Sequence, residues 1–145
     1  MALSHNAKLL ILDEPTSGLD PVARDEICDL LRGFISDESK SILFSTHITS
    51  DLDNVADYIT FILDGNIVFT GAKDNLLEKY VRIAGGLGEL SPEQKKLVIG
   101  YRKHGAGFEG MVETENIGQF PGVMAEEISL DEIIVFMNKG VALDE

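Results

Sequence analysis

Two adjacent carboxylates behind an apolar run are the first residues of this sequence whose pattern could do chemistry. Asp13 and Glu14 follow Leu9 to Leu12, four consecutive apolar residues that predict a short strand buried in a parallel sheet. Such a strand carries the acids to its carboxyl end, where carboxylate oxygens suit a Mg²⁺ ion. Taken alone, the pattern fits a buried strand leading into a solvated turn equally well.

His47 is the second candidate, because it follows another short apolar strand, predicted over Ser41 to Ser45. Neighbouring parallel strands end at the same edge of a sheet, so we expect His47 and the acidic pair to lie close together. A histidine by itself is more often a surface or helix-cap residue. Thr49 or Ser50 could cap the helix that follows without it.

The elements that position these residues alternate between strands and helices. Asp20 and Pro21 form an N-cap and first helical position, and apolar spacing predicts a helix to about Ile35. A second helix is predicted after His47. The segment that follows predicts a hairpin with strands over 58–63 and 66–70, closed by Asp64 and Gly65, and then a helix over 72–80. This order favours a parallel sheet with crossover helices and a terminal hairpin.

A change of composition near Val81, followed by three glycines at 85, 86 and 88, predicts a domain boundary. Ser91 and Gln94 form a capping box that predicts a helix to about Tyr101, and Ser129 with Glu132 repeats the pattern. Strands are predicted over 108–114 and 122–128. The sequence therefore predicts one domain over residues 1–80 and a small α+β appendage over residues 81–145.

The composition bounds the class of protein. The 145 residues are 44% hydrophobic and 26% charged, which is typical of a soluble globular chain. The net charge of −13, without a cluster of Lys and Arg, excludes a protein that binds nucleic acid through its own surface. We find no run of about 20 apolar residues and no secretion signal, so we expect a cytosolic protein.

The remaining cysteine, histidines and glycines favour structural interpretations. Cys28, the only cysteine, cannot form an intramolecular disulfide, and we interpret it as a helix packing residue, with a reactive thiol as the alternative. His5 and His104 have no metal-ligand spacing and are expected at the surface. No glycine precedes a lysine anywhere in the chain, so the glycine-rich segments are not phosphate-binding loops.

The residues from Leu12 to Pro21 read LDEPTSGLDP, and this segment resembles the one that joins the Walker B strand to the D-loop in ABC ATPases. Ser45, Thr46 and His47 resemble the H-loop of the same family. The hairpin and Gly71 resemble the usual end of an ABC ATP-binding domain. The resemblance implies an α/β fold that is part of a P-loop NTPase domain of the RecA-like type.

The resemblance also implies roles for the site residues, with ATP and Mg²⁺ as cofactors. Asp13 would hold Mg²⁺, in part through water, Glu14 would polarise the water that attacks the γ-phosphate, and His47 would contact that phosphate. The D-loop would contact a second nucleotide-binding domain across a dimer, and it comprises Ser17, Gly18, Leu19 and Asp20.

In this family the Walker A loop, the Q-loop and the signature motif precede Walker B, and all three are absent from this sequence. Ala2, Leu3 and Ser4 resemble the last turn of the helix after the signature. We therefore expect a C-terminal piece of an ATP-binding subunit, as a truncated product or part of a longer protein, without ATPase activity of its own. An exposed strand edge would favour oligomerisation or rearranged strands.

The same resemblance implies that the parent protein is an ATPase that drives a separate membrane permease, as a peripheral subunit at the cytoplasmic face of the membrane. Residues 129–140 resemble the C-terminal helix of subunits that serve small exporter-type permeases, which favours export. Residues 81–145 would form a regulatory or docking appendage. Two alternatives stay open: a soluble ABC ATPase of DNA repair, chromosome organisation or translation, and an interaction module whose catalytic residues are vestigial.

Overall fold

The computed structural model describes residues 7–143 and divides the chain into two compact units, Met1–Ala56 and Asp57–Glu145. The predictions for Ala2 to Ser4 and for His5 lie outside the described residues. The units divide earlier in the chain than the predicted domain boundary at 80/81, which stays a prediction. Among the described residues, no helix is long and apolar enough to cross a membrane.

The first unit is a strand–helix–strand–helix segment. Its elements are β1 (Leu9–Asp13), α1 (Pro21–Ile35), β2 (Ser41–Ser45) and α2 (Thr49–Val55). The two strands pair in parallel, and the register sets Leu9 opposite Ser41 and Asp13 opposite Ser45. A parallel pair needs a crossover connection, and α1 supplies it.

Helix α1 begins where the sequence predicts. The Asp20 side chain accepts a hydrogen bond of 2.8 Å from the Ala23 N–H, and Pro21 occupies the first helical position. This cap satisfies one of the amide donors that the first helical turn leaves without a partner. The predicted helix start is therefore confirmed.

One face of the β1–β2 pair is covered and the other is open. Cys28 and Leu31 of α1 pack with Val55 of α2, and inward-facing residues of both strands pack against this cluster. On the opposite face, Ile11 is 71% exposed and Leu43 is 63% exposed. The prediction of a strand buried on both faces is thus wrong for the described residues, because α1 and α2 pack on the same side.

The second unit opens with a β-hairpin. Strands β3 (Tyr58–Leu63) and β4 (Asn66–Ala72) pair antiparallel, and α3 (Lys73–Lys79) follows. Asp64 and Gly65 have φ angles of 50° and 78°, which the two central positions of a tight hairpin turn require. The predicted hairpin and its turn are confirmed.

A four-stranded antiparallel sheet forms the rest of the second unit, with the strand order β6-β7-β5-β8. Its strands are β5 (Tyr80–Gly86), β6 (Ile99–His104), β7 (Gly107–Glu113) and β8 (Met124–Glu126). The helices are α4 (Pro92–Leu97), a 3-10 helix over Thr114–Gln119, and α5 (Leu130–Leu143). Both predicted capping boxes are present, at Ser91 with Gln94 and at Ser129 with Glu132.

Two predicted elements differ from the structure. Helix α4 ends at Leu97 rather than near Tyr101, because the β-branched Val98 is extended, Ile99 begins β6 and Gly100 has a φ of 69°. The strand predicted over 122–128 is only three residues long. Gly85 and Gly86, near the predicted domain boundary, lie within strand β5.

The core of the second unit lies against the sheet. Ile83, Phe108, Val112 and Phe120 are among its most buried residues. At its margin, Arg82 of β5 contacts three carboxylates on different elements. The distances are 3.0 Å to Glu109 of β7, 2.6 Å to Glu126 of β8 and 3.2 Å to Glu132 of α5.

Gly100 is required where α5 crosses the sheet. A Cβ at Gly100 would lie 2.5 Å from the Phe136 carbonyl oxygen and 2.7 Å from its Cα. We expect Gly100→Ala to destabilise the second unit by about 3 kcal/mol, because overpacking adds to left-handed strain. Gly105→Ala is the control, since Gly105 also has a positive φ but a Cβ there has no neighbour within 4 Å, and about 1 kcal/mol is expected.

Urea unfolding followed by tyrosine fluorescence measures both variants, because all three tyrosines of the chain lie in the second unit and there is no tryptophan. Equal losses of unfolding free energy in Gly100→Ala and Gly105→Ala would contradict the close packing of α5 on β6.

The Arg82 contacts make the second unit sensitive to acid. The hydrogen bond from Arg82 holds the pKa of Glu109 below its usual value, and the positive charge of Arg102 acts in the same direction. A carboxylate whose folded-state pKa is lowered stabilises the fold above its unfolded pKa and loses that effect as the pH falls through the folded value. We therefore expect a loss of unfolding free energy below about pH 4.5.

Glu109→Gln checks this assignment, because it removes the titrating group at nearly constant shape. Unfolding free energies from urea titrations at about pH 7 and about pH 3 should differ less in Glu109→Gln than in the unaltered chain. An equally steep pH dependence in both proteins would refute the contribution of Glu109.

Candidate functional site

The carboxyl ends of β1 and β2 bring the predicted site residues together. The parallel register places Asp13 directly opposite Ser45. The Ser45 hydroxyl donates a hydrogen bond to the Asp13 carboxylate. Asp13 is exposed, so its carboxylate stands at the open end of the strand pair with its orientation set by Ser45.

Glu14 has an unusual backbone conformation. Its φ of 46° lies in the left-handed region, which costs a residue with a Cβ about 1–2 kcal/mol. The Glu14 N–H donates to the Ser45 carbonyl oxygen at 2.9 Å, which extends the contact between the strand ends by one residue. This conformation turns the chain sharply after Asp13, and strain of this kind often occurs at functional sites.

The Glu14 side chain meets His47. Nδ1 of His47 lies 3.0 Å from each oxygen of the Glu14 carboxylate. A carboxylate only accepts hydrogen bonds, so Nδ1 carries a proton in this contact. The His47 side chain is 74% exposed and that of Glu14 35%, so solvent and solutes reach the pair. The structure thus brings together the acidic pair and the histidine that the strand topology predicts at one edge.

The segment after Glu14 forms a compact turn leading into α1. The Ser17 N–H donates to the Glu14 carbonyl and the Leu19 N–H to the Thr16 carbonyl, both at 3.2 Å. Gly18 has a φ of 79° and nothing within 4 Å of a Cβ position, while Ser17 is exposed. Ser17 and Gly18 therefore form an exposed loop between the acidic pair and the Asp20 cap.

A buried polar cluster beneath this loop was missed from the sequence. Thr16 and Asp51 are each 1% exposed, and the Thr16 hydroxyl donates to the Asp51 carboxylate. The thiol of Cys28, also 1% exposed, lies 3.7 Å from the other carboxylate oxygen. The sequence carries one signal of this cluster. Asp51 lies four residues before Val55, so the two side chains share one face of a helix, and that face is buried.

The interpretation of Cys28 as a packing residue is supported by this environment. Burial raises the pKa of the Cys28 thiol, and the negative charge of Asp51 raises it further. The thiol therefore stays protonated at neutral pH and donates toward Asp51, whereas nucleophilic cysteines need a lowered pKa.

The donors at the strand ends fit Mg²⁺ only in part. Asp13 offers carboxylate oxygen, the ligand type that Mg²⁺ prefers, and it is exposed. Within residues 7–143 no group of three His, Cys, Asp or Glu side chains could enclose a metal ion. This arrangement suits an ion that keeps water and phosphate ligands and touches the protein at few points.

Comparison with known proteins finds similarity to ATP-binding proteins of transporters. It is 44% identical over 68 residues to a lantibiotic transport ATP-binding protein of Streptococcus pyogenes, which covers 47% of this chain and 29% of that protein. It is 33% identical over 101 residues to the bacitracin transport ATP-binding protein of Bacillus licheniformis, covering 68% and 31%. No family model matches the chain.

A third relative is the Nod factor export ATP-binding protein I of Neorhizobium galegae, 32% identical over 103 residues, with 68% of this chain and 28% of that protein covered. The chain spans about a third or less of the length of these relatives, and it matches their C-terminal part. The chain belongs, over the matched segment, to the ATP-binding proteins of ABC transporters.

The left-handed backbone at Glu14 has a measurable consequence for stability. Glu14→Gly and Glu14→Ala both remove the His47 contact, but only glycine tolerates the positive φ. We expect Glu14→Gly to be more stable than Glu14→Ala by about 1 kcal/mol. The same pair at Glu26, inside α1, should show the opposite order by about 1 kcal/mol, because glycine weakens a helix interior.

Thermal or urea unfolding followed by NMR signals of the first unit measures the four variants. If the alanine variant is more stable than the glycine variant at both positions, Glu14 does not hold a left-handed conformation in solution.

Proposed function

We propose that the first unit supplies the water-activating part of an ATP site in the ATP-binding subunit of an ABC transporter. The observation that carries this proposal is the contact between Glu14 and His47 at the shared ends of two parallel strands. Chance pairing of a carboxylate and a histidine is common, but here both lie in segments that match the family. The domain predicted over residues 1–80 would then be the C-terminal part of one such ATP-binding domain.

The geometry supports a division of roles between the two acids. Asp13, oriented by Ser45, would take the Mg²⁺ position through its exposed carboxylate. Mg²⁺, when bound, would offset the negative charge of the phosphates. Glu14 would accept a hydrogen bond from the attacking water and so orient it as a general base.

His47 is placed to hold Glu14 and to meet the phosphate. Its Nδ1–H donates to the Glu14 carboxylate, which limits the rotation of that side chain. The exposed remainder of the ring is accessible to the γ-phosphate of a bound nucleotide. The pair would therefore position a water molecule and a phosphoryl group relative to each other.

The exposed loop after Glu14 supports a contact across a dimer. Ser17, Gly18, Leu19 and Asp20 form the D-loop by resemblance. Ser17 and Gly18 are exposed, while Asp20 caps α1 and so fixes where the loop ends. We propose that this loop contacts a second nucleotide-binding domain when two such domains bind ATP between them.

The partner in the membrane would be a separate permease, to which the subunit attaches peripherally at the cytoplasmic face. Three relatives are named for lantibiotic transport, bacitracin transport and Nod factor export. These names support an exporter-type system. Residues 81–145, which include all of the four-stranded sheet except Tyr80, would be a regulatory or docking appendage.

The 145-residue chain by itself is proposed to hydrolyse no ATP. No glycine precedes a lysine in it, so it carries no phosphate-binding loop of the usual kind. Without backbone donors and a lysine to hold a triphosphate, the carboxylates at the strand ends would have no substrate to act on.

A hybrid protein tests the proposed role. The preceding part of the Streptococcus pyogenes lantibiotic transport relative is joined to this chain at the aligned segment, and steady-state ATP turnover is measured with Mg²⁺. We expect turnover by the hybrid and none by the 145-residue chain alone. Glu14→Gln should lower kcat at least about 100-fold, the usual loss when a general base is removed.

Glu26→Gln is the matched control, because it makes the same change on the exposed face of α1. It should leave kcat unchanged. Turnover by the Glu14→Gln hybrid at the unaltered rate would refute the role of Glu14, and turnover by the 145-residue chain would refute its inactivity.

A further inference from the structure

The buried cluster of Thr16, Cys28 and Asp51 joins three segments of the first unit. Thr16 lies in the loop after β1, Cys28 in α1, and Asp51 in the first turn of α2. The Thr16 hydroxyl and the Cys28 thiol donate to different oxygens of the Asp51 carboxylate. Burying a carboxylate such as that of Asp51, which is 1% exposed, costs free energy unless such donors satisfy it. The cluster therefore restrains all three segments.

The position of this cluster in the chain links it to the candidate site. Thr16 is two residues after Glu14, and Asp51 is four residues after His47. Their hydrogen bond therefore ties the segment that carries the glutamate to the helix that follows the histidine. The direct contact between Glu14 and His47 lies at the surface, whereas this second connection lies in the interior.

A restraint near Glu14 is needed because its backbone is strained. The φ of 46° at Glu14 is unfavourable for any residue with a Cβ, and an unrestrained loop would relax it. Two hydrogen bonds restrain the backbone at Glu14 and just after it. The Glu14 N–H donates to the Ser45 carbonyl, and the Thr16 side chain is anchored to Asp51 two residues later.

We propose that Asp51 is a positioning residue, which holds Thr16 so that Glu14 keeps its left-handed backbone and its carboxylate stays against His47. The role of this pair in hydrolysis rests on the proposed function, but the restraint itself is a property of the first unit. Asp51 does not touch the candidate substrate position. It acts through the loop, as a fixed point beneath the acidic pair.

Hydrogen exchange in the 145-residue chain tests the proposal without any ATPase activity. Thr16→Val removes the hydroxyl at constant shape and leaves Asp51 with an unsatisfied oxygen. We expect the Glu14 amide to exchange about tenfold faster, because its hydrogen bond to Ser45 depends on the loop conformation. The NOE between the His47 ring and the Glu14 side chain should disappear in the same variant.

Three further variants sharpen the result. Thr16→Ser keeps the hydroxyl and should retain the slow exchange and the NOE. Thr60→Val makes the same change as Thr16→Val at an exposed hydrogen bond of the hairpin, 2.9 Å from Thr70, and should leave Glu14 unaffected. Asp51→Asn, which keeps the shape of the side chain but weakens its acceptor, should accelerate exchange at Glu14 as Thr16→Val does.

The pattern of exchange separates positioning from general stability. Faster exchange at Glu14, with the amides of α1 and the β1–β2 ladder unchanged, supports the proposal. Equal acceleration at all of these amides would overturn it, since Asp51 would then only stabilise the unit.

The variants at Thr16 give two further outcomes that would overturn the proposal. One is an unchanged Glu14 exchange rate and an unchanged NOE in Thr16→Val. The other is loss of the slow exchange and of the NOE in Thr16→Ser. If Thr16→Val does not fold, Thr16→Ser still decides by this last criterion. Because no outcome involves ATP, failure here leaves the hybrid test of hydrolysis intact.

Discussion

The parallel pairing of β1 with β2 is the constraint on which the candidate site depends. The register that sets Asp13 opposite Ser45 makes both strands end at the same level. Each strand then delivers its next residues to one place, Glu14 from β1 and His47 from β2. A shift of one residue in either strand would reverse which side chains face α1 and would separate the glutamate from the histidine.

The same constraint bears on how the exposed parts of the site are held. The contact between Glu14 and His47 is open to solvent, and exposed polar contacts of this kind contribute at most about 1 kcal/mol. That is less than or similar to the cost of the left-handed backbone at Glu14. The surrounding fold must supply the difference, through the strand register and the buried hydrogen bonds beneath the loop. The arrangement of Glu14 and His47 at the surface would therefore depend on polar contacts in the interior.

The features that the sequence predicts well are those that depend on residues close together in the chain. The Asp20 cap, the two capping boxes and the Asp64–Gly65 turn each involve residues within four positions of one another, and all are present. The edge where the acids meet His47 follows from strand order. The motif from Leu12 to Pro21 carried the family assignment.

The features that could not be predicted depend on tertiary packing. Thr16 and Asp51 are 35 positions apart, and nothing local says that their side chains meet. The end of α4 at Leu97 follows from the pairing of β6 with β7, which overrides the helical pattern up to Tyr101. The open face of β1 and β2 could not be read from Leu9 to Leu12 either, because an apolar run does not show whether both sides of a strand are covered.

We propose that Asp13, Glu14 and His47 face the terminal phosphate when ATP is bound. A crystal structure of the hybrid with Mg²⁺ and a non-hydrolysable ATP analogue tests it most directly. The account predicts Asp13 beside the metal ion, directly or through one water, with a water molecule between the Glu14 carboxylate and the γ-phosphate and His47 within hydrogen-bonding distance of that phosphate. A nucleotide bound with its γ-phosphate beyond the reach of a single water from both Glu14 and His47 would contradict it.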